Sequence, residues 1–140
     1  MTLPRTPSQT VGPYYAIGLC RRPDNELDPK GVELSGTLLD GRGDPIDDGL
    51  VEVWDPVGRR WGRCGTADGG RFEFVVPRDA THLEVTVFAR GLLRHQLTRV
   101  YLRPEAAPDG YERLVAEQEG GGLRFDIRMQ GENATLFFEH

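Results

Sequence analysis

The sequence predicts an all-β fold, an antiparallel β-sandwich with an extended amino-terminal arm and one short helical insertion. Three observations carry that reading. The 140 residues include 18 Gly and 10 Pro, which suits short strands joined by tight turns better than a helical bundle. Apolar and polar residues alternate with a period of two in successive short runs. Seven such runs follow one another, separated by turn-forming stretches as in a sandwich. A chain of this length supports one sizeable core.

Residues 1–30 contain Pro4, Pro7, Pro13, Pro23 and Pro29 and few periodic apolar positions. Proline fixes φ and removes an amide donor, so an extended, irregular arm is expected, lying on another surface because it has no core of its own. The sandwich is expected over 31–140. VELSGTLLD alternates Val32, Leu34 and Leu38 with Glu33, Ser35 and Thr37, a half-buried strand with a predicted interruption at Gly36. GRGDPIDDG, 41–49, is a turn-forming loop, and Leu50 to Trp54 is the next strand. A Gly-rich stretch from Gly58 to Gly70 precedes RFEFVV, and HLEVTVFA (82–89) alternates Leu83, Val85 and Val87 with Glu84 and Thr86. LTRVYLR, LRFDIRM and ATLFFE complete the series. The helical insertion is expected at YERLVAEQ, 111–118, where Arg113 and Glu117 are spaced as a helical ion pair before Gly120-Gly121-Gly122.

Composition narrows the function. A net charge of −5, from 17 basic and 22 acidic side chains, disfavours nucleic-acid binding, which needs clustered positive charge. No apolar run reaches the roughly 18 residues of a membrane span. The first residues lack the apolar stretch of a secretory signal, so a cytoplasmic protein is expected. Cys20 and Cys64 form no CxxC, so two reduced, half-buried thiols are expected rather than a zinc ribbon or a disulfide framework. The glycines of GRGDP and GTADGG lack the following helix of a phosphate loop, and neither Ser8 nor Ser35 suggests a nucleophile. His82 and Glu84 share one face of a strand but make only two ligands of a metal site. Arg90, in FARG, is a planar carboxylate anchor or an ordinary surface charge.

Four strings, TPSQTVGPYY (6–15), GDPIDDGLVEVWD (43–55), VFARGLLRHQLTRVYL (87–102) and RFDIRMQGE (124–132), resemble in order the α subunits of the protocatechuate 3,4-dioxygenases, within the intradiol ring-cleavage family. The resemblance implies a β-sandwich with an extended arm. It also implies a part in the cleavage of 3,4-dihydroxybenzoate by dioxygen to 3-carboxy-cis,cis-muconate at a mononuclear Fe(III). In that family two tyrosines and a His-x-His pair of the β subunit hold the iron. Here the His-x-His position reads His82-Leu83-Glu84, the first tyrosine position falls near Trp61, and PRDAT offers no second tyrosine. Indole has no oxygen to ligate a metal. The implied role is therefore a non-iron-binding α subunit, as the family's α chains are.

What the resemblance carries to this chain is a substrate-pocket contribution from Thr10, Gly12, Pro13 and Tyr14 of the arm and from Arg90. The implied partners are an iron-bearing β subunit and a catechol, in an αβ oligomer of higher order. The loops after Trp54 and Val76 are short for the family. The alternative expectation is a β-sandwich interaction module that has lost the pocket and has no catalytic role.

Overall fold

The computed structural model describes residues 2–10, 12, 14–20 and 24–139, with nothing to be said of the side chains of Tyr14 and Tyr15. Two sheets face each other. One orders β4 (Arg71–Val76), β1 (Val32–Leu39), β8 (Gly122–Arg124) and β7 (Glu117–Glu119), with β9 (Ile127–Arg128) pairing the far end of β1. The other orders β3 (Arg60–Gly65), β2 (Leu50–Asp55), β5 (His82–Phe88) and β6 (Gln96–Tyr101). Pairing is antiparallel except where β8 and β9 run parallel to β1. The all-β sandwich is thus as the period-two runs predict.

Alternation places Leu34 and Leu38 of β1, Phe72, Phe74 and Val76 of β4, Val51 and Val53 of β2 and Leu83, Val85 and Val87 of β5 in one buried cluster. Each removes most of a large apolar side chain from water, worth about 1.5–3 kcal/mol before conformational entropy is subtracted. Among the described residues no helix is long and apolar enough to cross a membrane.

Four local expectations need correction. First, β1 runs through Gly36 without interruption. The glycine is there for space, since a Cβ at Gly36 would lie 1.9 Å from the Phe125 carbonyl oxygen and 2.6 Å from the Phe72 ring. Second, YERLVAEQ forms no two-turn helix. Only Glu112–Leu114 make a 3-10 turn, and Glu117 has joined β7 opposite Arg124. Burial decides this, because Leu114 is inserted in the core while the Ala116 amide donates to Tyr101 O. Third, ATLFFE contributes one isolated bridge, Leu97 to Phe138, rather than a strand. Fourth, the Gly-rich stretch after Gly58 is partly strand, β3, kept close to the arm because Gly62 lets Leu27 and the Asp24 carbonyl approach.

The arm also differs from a wholly irregular segment. Its longest stretch free of proline, between Pro13 and Pro23, holds the short helix α1 (Tyr14–Leu19). Residues 2–10 are exposed and without regular structure. Further on the chain is tied to both sheets: the Arg63 amide donates to Asp24 O at 2.8 Å, and the Leu27 amide to Val75 O at 2.8 Å.

Gly36→Ala is expected to destabilise the fold by about 1–3 kcal/mol or more through overpacking. Gly121→Ala, where a Cβ meets nothing within 4 Å, is expected to change stability by less than about 0.5 kcal/mol. Urea denaturation of the two variants checks the contrast.

Candidate functional site

The outer face of the β3-β2-β5-β6 sheet gathers the chemistry-bearing side chains. Directly paired residues of antiparallel strands share a face. The register Trp61↔Trp54, Trp54↔Glu84 and Glu84↔Arg99 therefore lays one row across all four strands. Both tryptophans are exposed. The next row pairs Glu52 with Arg63, whose Nε and one terminal nitrogen donate to Glu52 Oε1 at 2.8 and 2.5 Å, while its guanidinium lies 4.8 Å from the centroid of Trp61.

Arg99 is the hub. It donates to Glu84 Oε1 at 2.6 Å and to Tyr101 Oη at 3.2 Å, and it lies 5.9 and 5.7 Å from the ring centroids of Tyr101 and Phe138. These hydrogen bonds, the one accepted by Tyr101 first and then the one accepted by Glu84, raise the guanidinium's pKa further. His82 Nε2 stands 3.6 Å from the same Glu84 oxygen, and its Nδ1 is 3.1 Å from Thr81 Oγ1. Of the positions that the resemblance aligned with a metal centre, the structure sets His82 beside Glu84 and leaves Trp61 two strands away on the same face.

Their donor set does not fit a ferric ion. Arg99, a permanent cation, is seated on the Glu84 carboxylate, and a metal there would face its charge at contact distance. The one buried side-chain polar atom without a partner among the described residues is Arg99 Nε. It is a donor, which needs an acceptor and cannot be satisfied by a cation. Among the described residues no three His, Cys, Asp or Glu side chains form a metal-holding group.

The other end of that face is covered. Leu50 lies on the outer side in the row Gly65–Leu50–Phe88, yet it is fully buried. Cys20, at the end of α1, stands so close that a Cβ on Gly65 would be 2.8 Å from its Sγ. Burial pushes the thiols of both Cys20 and Cys64 up, which keeps them protonated and weakly nucleophilic. Both are free.

Of the expected pocket residues, Thr10 Oγ1 accepts a hydrogen bond from the Gly12 amide at 3.2 Å. Gly12 has φ +68°, and a Cβ there would meet nothing within 4 Å. Glycine is thus required by the left-handed backbone and not by crowding. Pro13 lies outside the described residues, as does the Tyr14 side chain, although Tyr14 opens α1. Arg90 follows β5, and its Nε and a terminal nitrogen pair with Asp48 Oδ2 from the 41–49 loop. Asp48 is largely shielded while Arg90 is exposed, so the carboxylate holds the guanidinium by its Nε edge at the surface. Sequence reasoning missed Asp48, Trp54 and Arg99. Only the strand register, which sets Arg99 beside Glu84, singles out the last from the other arginines.

The Arg99–Glu84 pair is expected to show a coupling of about 0.5–1 kcal/mol in a double-mutant cycle of Arg99→Met and Glu84→Gln. Partial solvent exposure of both side chains keeps it below the value of a buried pair. Urea denaturation of the four proteins measures it, and additive effects would remove the pair from the account.

No family model matches the sequence. Among curated proteins, the protocatechuate 3,4-dioxygenase alpha chain of Burkholderia cepacia is 32% identical over 194 aligned positions, covering 99% of this chain and 98% of that protein. The alpha chain of the same name from Pseudomonas putida is 32% identical, covering 98% and 97%. Because the first alignment spans 194 positions against 140 residues here, those relatives contain segments with no counterpart in this chain. Among solved structures, the dioxygenase domain of a carbohydrate-binding fusion protein from Streptomyces sp. SirexAA-E superposes with a TM-score of 0.57 at 22% identity, covering 90% of this chain and 98% of that one. Hydroxyquinol 1,2-dioxygenase from Pseudomonas putida DLL-E4 gives a TM-score of 0.54 at 17% identity, covering 88% and 65%. These two share the fold. The identity to the two alpha chains extends from the arm to the carboxy-terminal strands, and the chain belongs to the family of protocatechuate 3,4-dioxygenase alpha chains.

Proposed function

We propose that this chain works as the non-iron-binding α subunit of a heteromeric protocatechuate 3,4-dioxygenase. In this reading an iron-bearing β subunit carries out the cleavage of 3,4-dihydroxybenzoate by O2 to 3-carboxy-cis,cis-muconate. The observation that carries it is the match to two alpha chains along nearly the whole of both sequences. The donor set around Glu84 supports leaving the Fe(III) to the partner, since an arginine holds the carboxylate a metal would need. We assign the assembly to the cytoplasm and expect αβ units to associate further.

The contribution of this chain is then shape and charge. Residues 2–10 are exposed and bury almost nothing of their own, so their ordering must come from a partner surface. At Gly12 the chain turns through a left-handed conformation with no side chain, which lets backbone approach a flat aromatic ring closely. Thr10 holds that turn by its hydrogen bond to the Gly12 amide. In this reading Pro13 and Tyr14 are assigned to the pocket as well. Arg90, held by Asp48, presents a guanidinium suited to the planar carboxylate of the substrate. We take the arm (1–30) as the partner-contacting part and 31–140 as the sandwich that carries it. A pocketless interaction module has no observation in its favour.

The isolated chain is expected to show no ring cleavage, and co-expression with an iron-bearing β chain is expected to restore it. Activity of the isolated chain would overturn the assignment. In the reconstituted enzyme, Arg90→Ala is expected to raise KM for 3,4-dihydroxybenzoate by about ten-fold, the loss of one charge-assisted contact. Catechol, which has no carboxylate, is expected to change much less. Steady-state kinetics on the two substrates check this, and equal effects would remove the carboxylate role.

A further inference from the structure

At the end of the sandwich where β4 and β6 finish, the turn between β7 and β8 leaves a cleft of about 240 Å³ between the two sheets. Its walls are Pro77 and Arg78 after β4, Leu102 and Arg103 after β6, Val32 at the start of β1, and Gln118, the three glycines 120–122 and Leu123 of the hairpin. Leu102, Leu123 and Pro77 are buried and form an apolar floor. The chain as a whole is acidic, with 22 acidic against 17 basic side chains. Yet the ionisable side chains lining this cleft are two arginines and no acid.

The two guanidiniums are poorly neutralised. Arg78 donates from Nε to the Lys30 carbonyl at 3.2 Å, a neutral acceptor. Arg103 has an ion pair with Glu105 at 3.9 Å, and Glu105 is three-quarters exposed, so solvent screens that contact. Glu119, beside the turn, pairs instead with Arg124 at 3.6 Å. A Cβ at Gly120 or Gly121 would meet nothing within 4 Å, so backbone lies open to a ligand there. The cleft is smaller than the roughly 300–1,000 Å³ of drug-sized sites, which restricts an occupant to a small molecule.

We propose that this cleft is a binding site for a small organic carboxylate with an apolar body, its carboxylate held between Arg78 and Arg103 and its hydrocarbon part on Leu102, Leu123 and Pro77. Planar guanidiniums match the two oxygens of a carboxylate, and the apolar floor distinguishes such a ligand from a bare inorganic anion. The site owes nothing to the Arg90 face, which lies on the 41–49 loop side of β5, and it stands whether or not the assignment to an α subunit holds.

The test titrates benzoate into the isotope-labelled full-length chain and follows backbone amide resonances by NMR. Saturable shifts at Gly120, Gly121 and Gly122 are expected with benzoate. None is expected with benzamide, its neutral isostere. Arg103→Gln and Arg78→Gln, both at exposed positions, are expected to leave the spectrum folded and to weaken benzoate binding at least about ten-fold each. Three results would overturn the proposal: no saturable shift, equal shifts with benzamide, or affinity unchanged in both variants. Inorganic phosphate binding as tightly as benzoate would also overturn it, by making the cleft an unselective anion site.

Discussion

A β-strand shows its side chains to two faces in turn, and in His82–Phe88 that alternation separates folding from function. Leu83, Val85 and Val87 point inward and are almost completely buried, whereas His82, Glu84 and Thr86 point outward and are partly exposed. Because this strand is central in its sheet, between β2 and β6, its register also fixes which residues of those neighbours stand beside Glu84. A slip of one residue would exchange the faces and bury the Glu84 carboxylate and the His82 imidazole. The hydrophobic core therefore holds the outer row in place, and the row inherits the precision of the packing.

What that row does depends on one exchange of partner. The carboxylate of Glu84 is the natural place for a cation, and Arg99 fills it from the adjacent strand. The rings of Tyr101 and Phe138 lie within cation–π range of the guanidinium, so ring contacts as well as charge hold it. The outer face of this chain is thereby a structural surface flanked by two exposed tryptophans. In the proposed function the strand His82–Phe88 keeps its place in the fold while Arg99 occupies the Glu84 carboxylate.

Much of this was legible in the sequence, and the exceptions have physical reasons. Period-two runs located β1, β2, β4, β5 and β6 because each buries one face on the core. His82 and Glu84 could be placed on one face by spacing alone. Arg99 could not be placed beside them, because cross-strand neighbours depend on a register that local pattern does not encode. The helix expected at 111–118 does not form because the core claims Leu114 and the β7–β8 hairpin claims Glu117, packing and pairing that override propensity. Gly36 was misread as a break, since a glycine that admits the Phe125 backbone and the Phe72 ring looks the same in sequence as one that ends a strand. Asp48 was hidden among turn formers until the fold carried it to Arg90.

In the proposed function this chain takes part in a ring-cleaving enzyme and leaves the iron to its partner. Native mass spectrometry of the complex formed with a β chain measures this directly, as iron atoms per αβ pair. The account predicts one iron for each pair. Two irons per pair, with one retained by this chain after the subunits are separated, would contradict it.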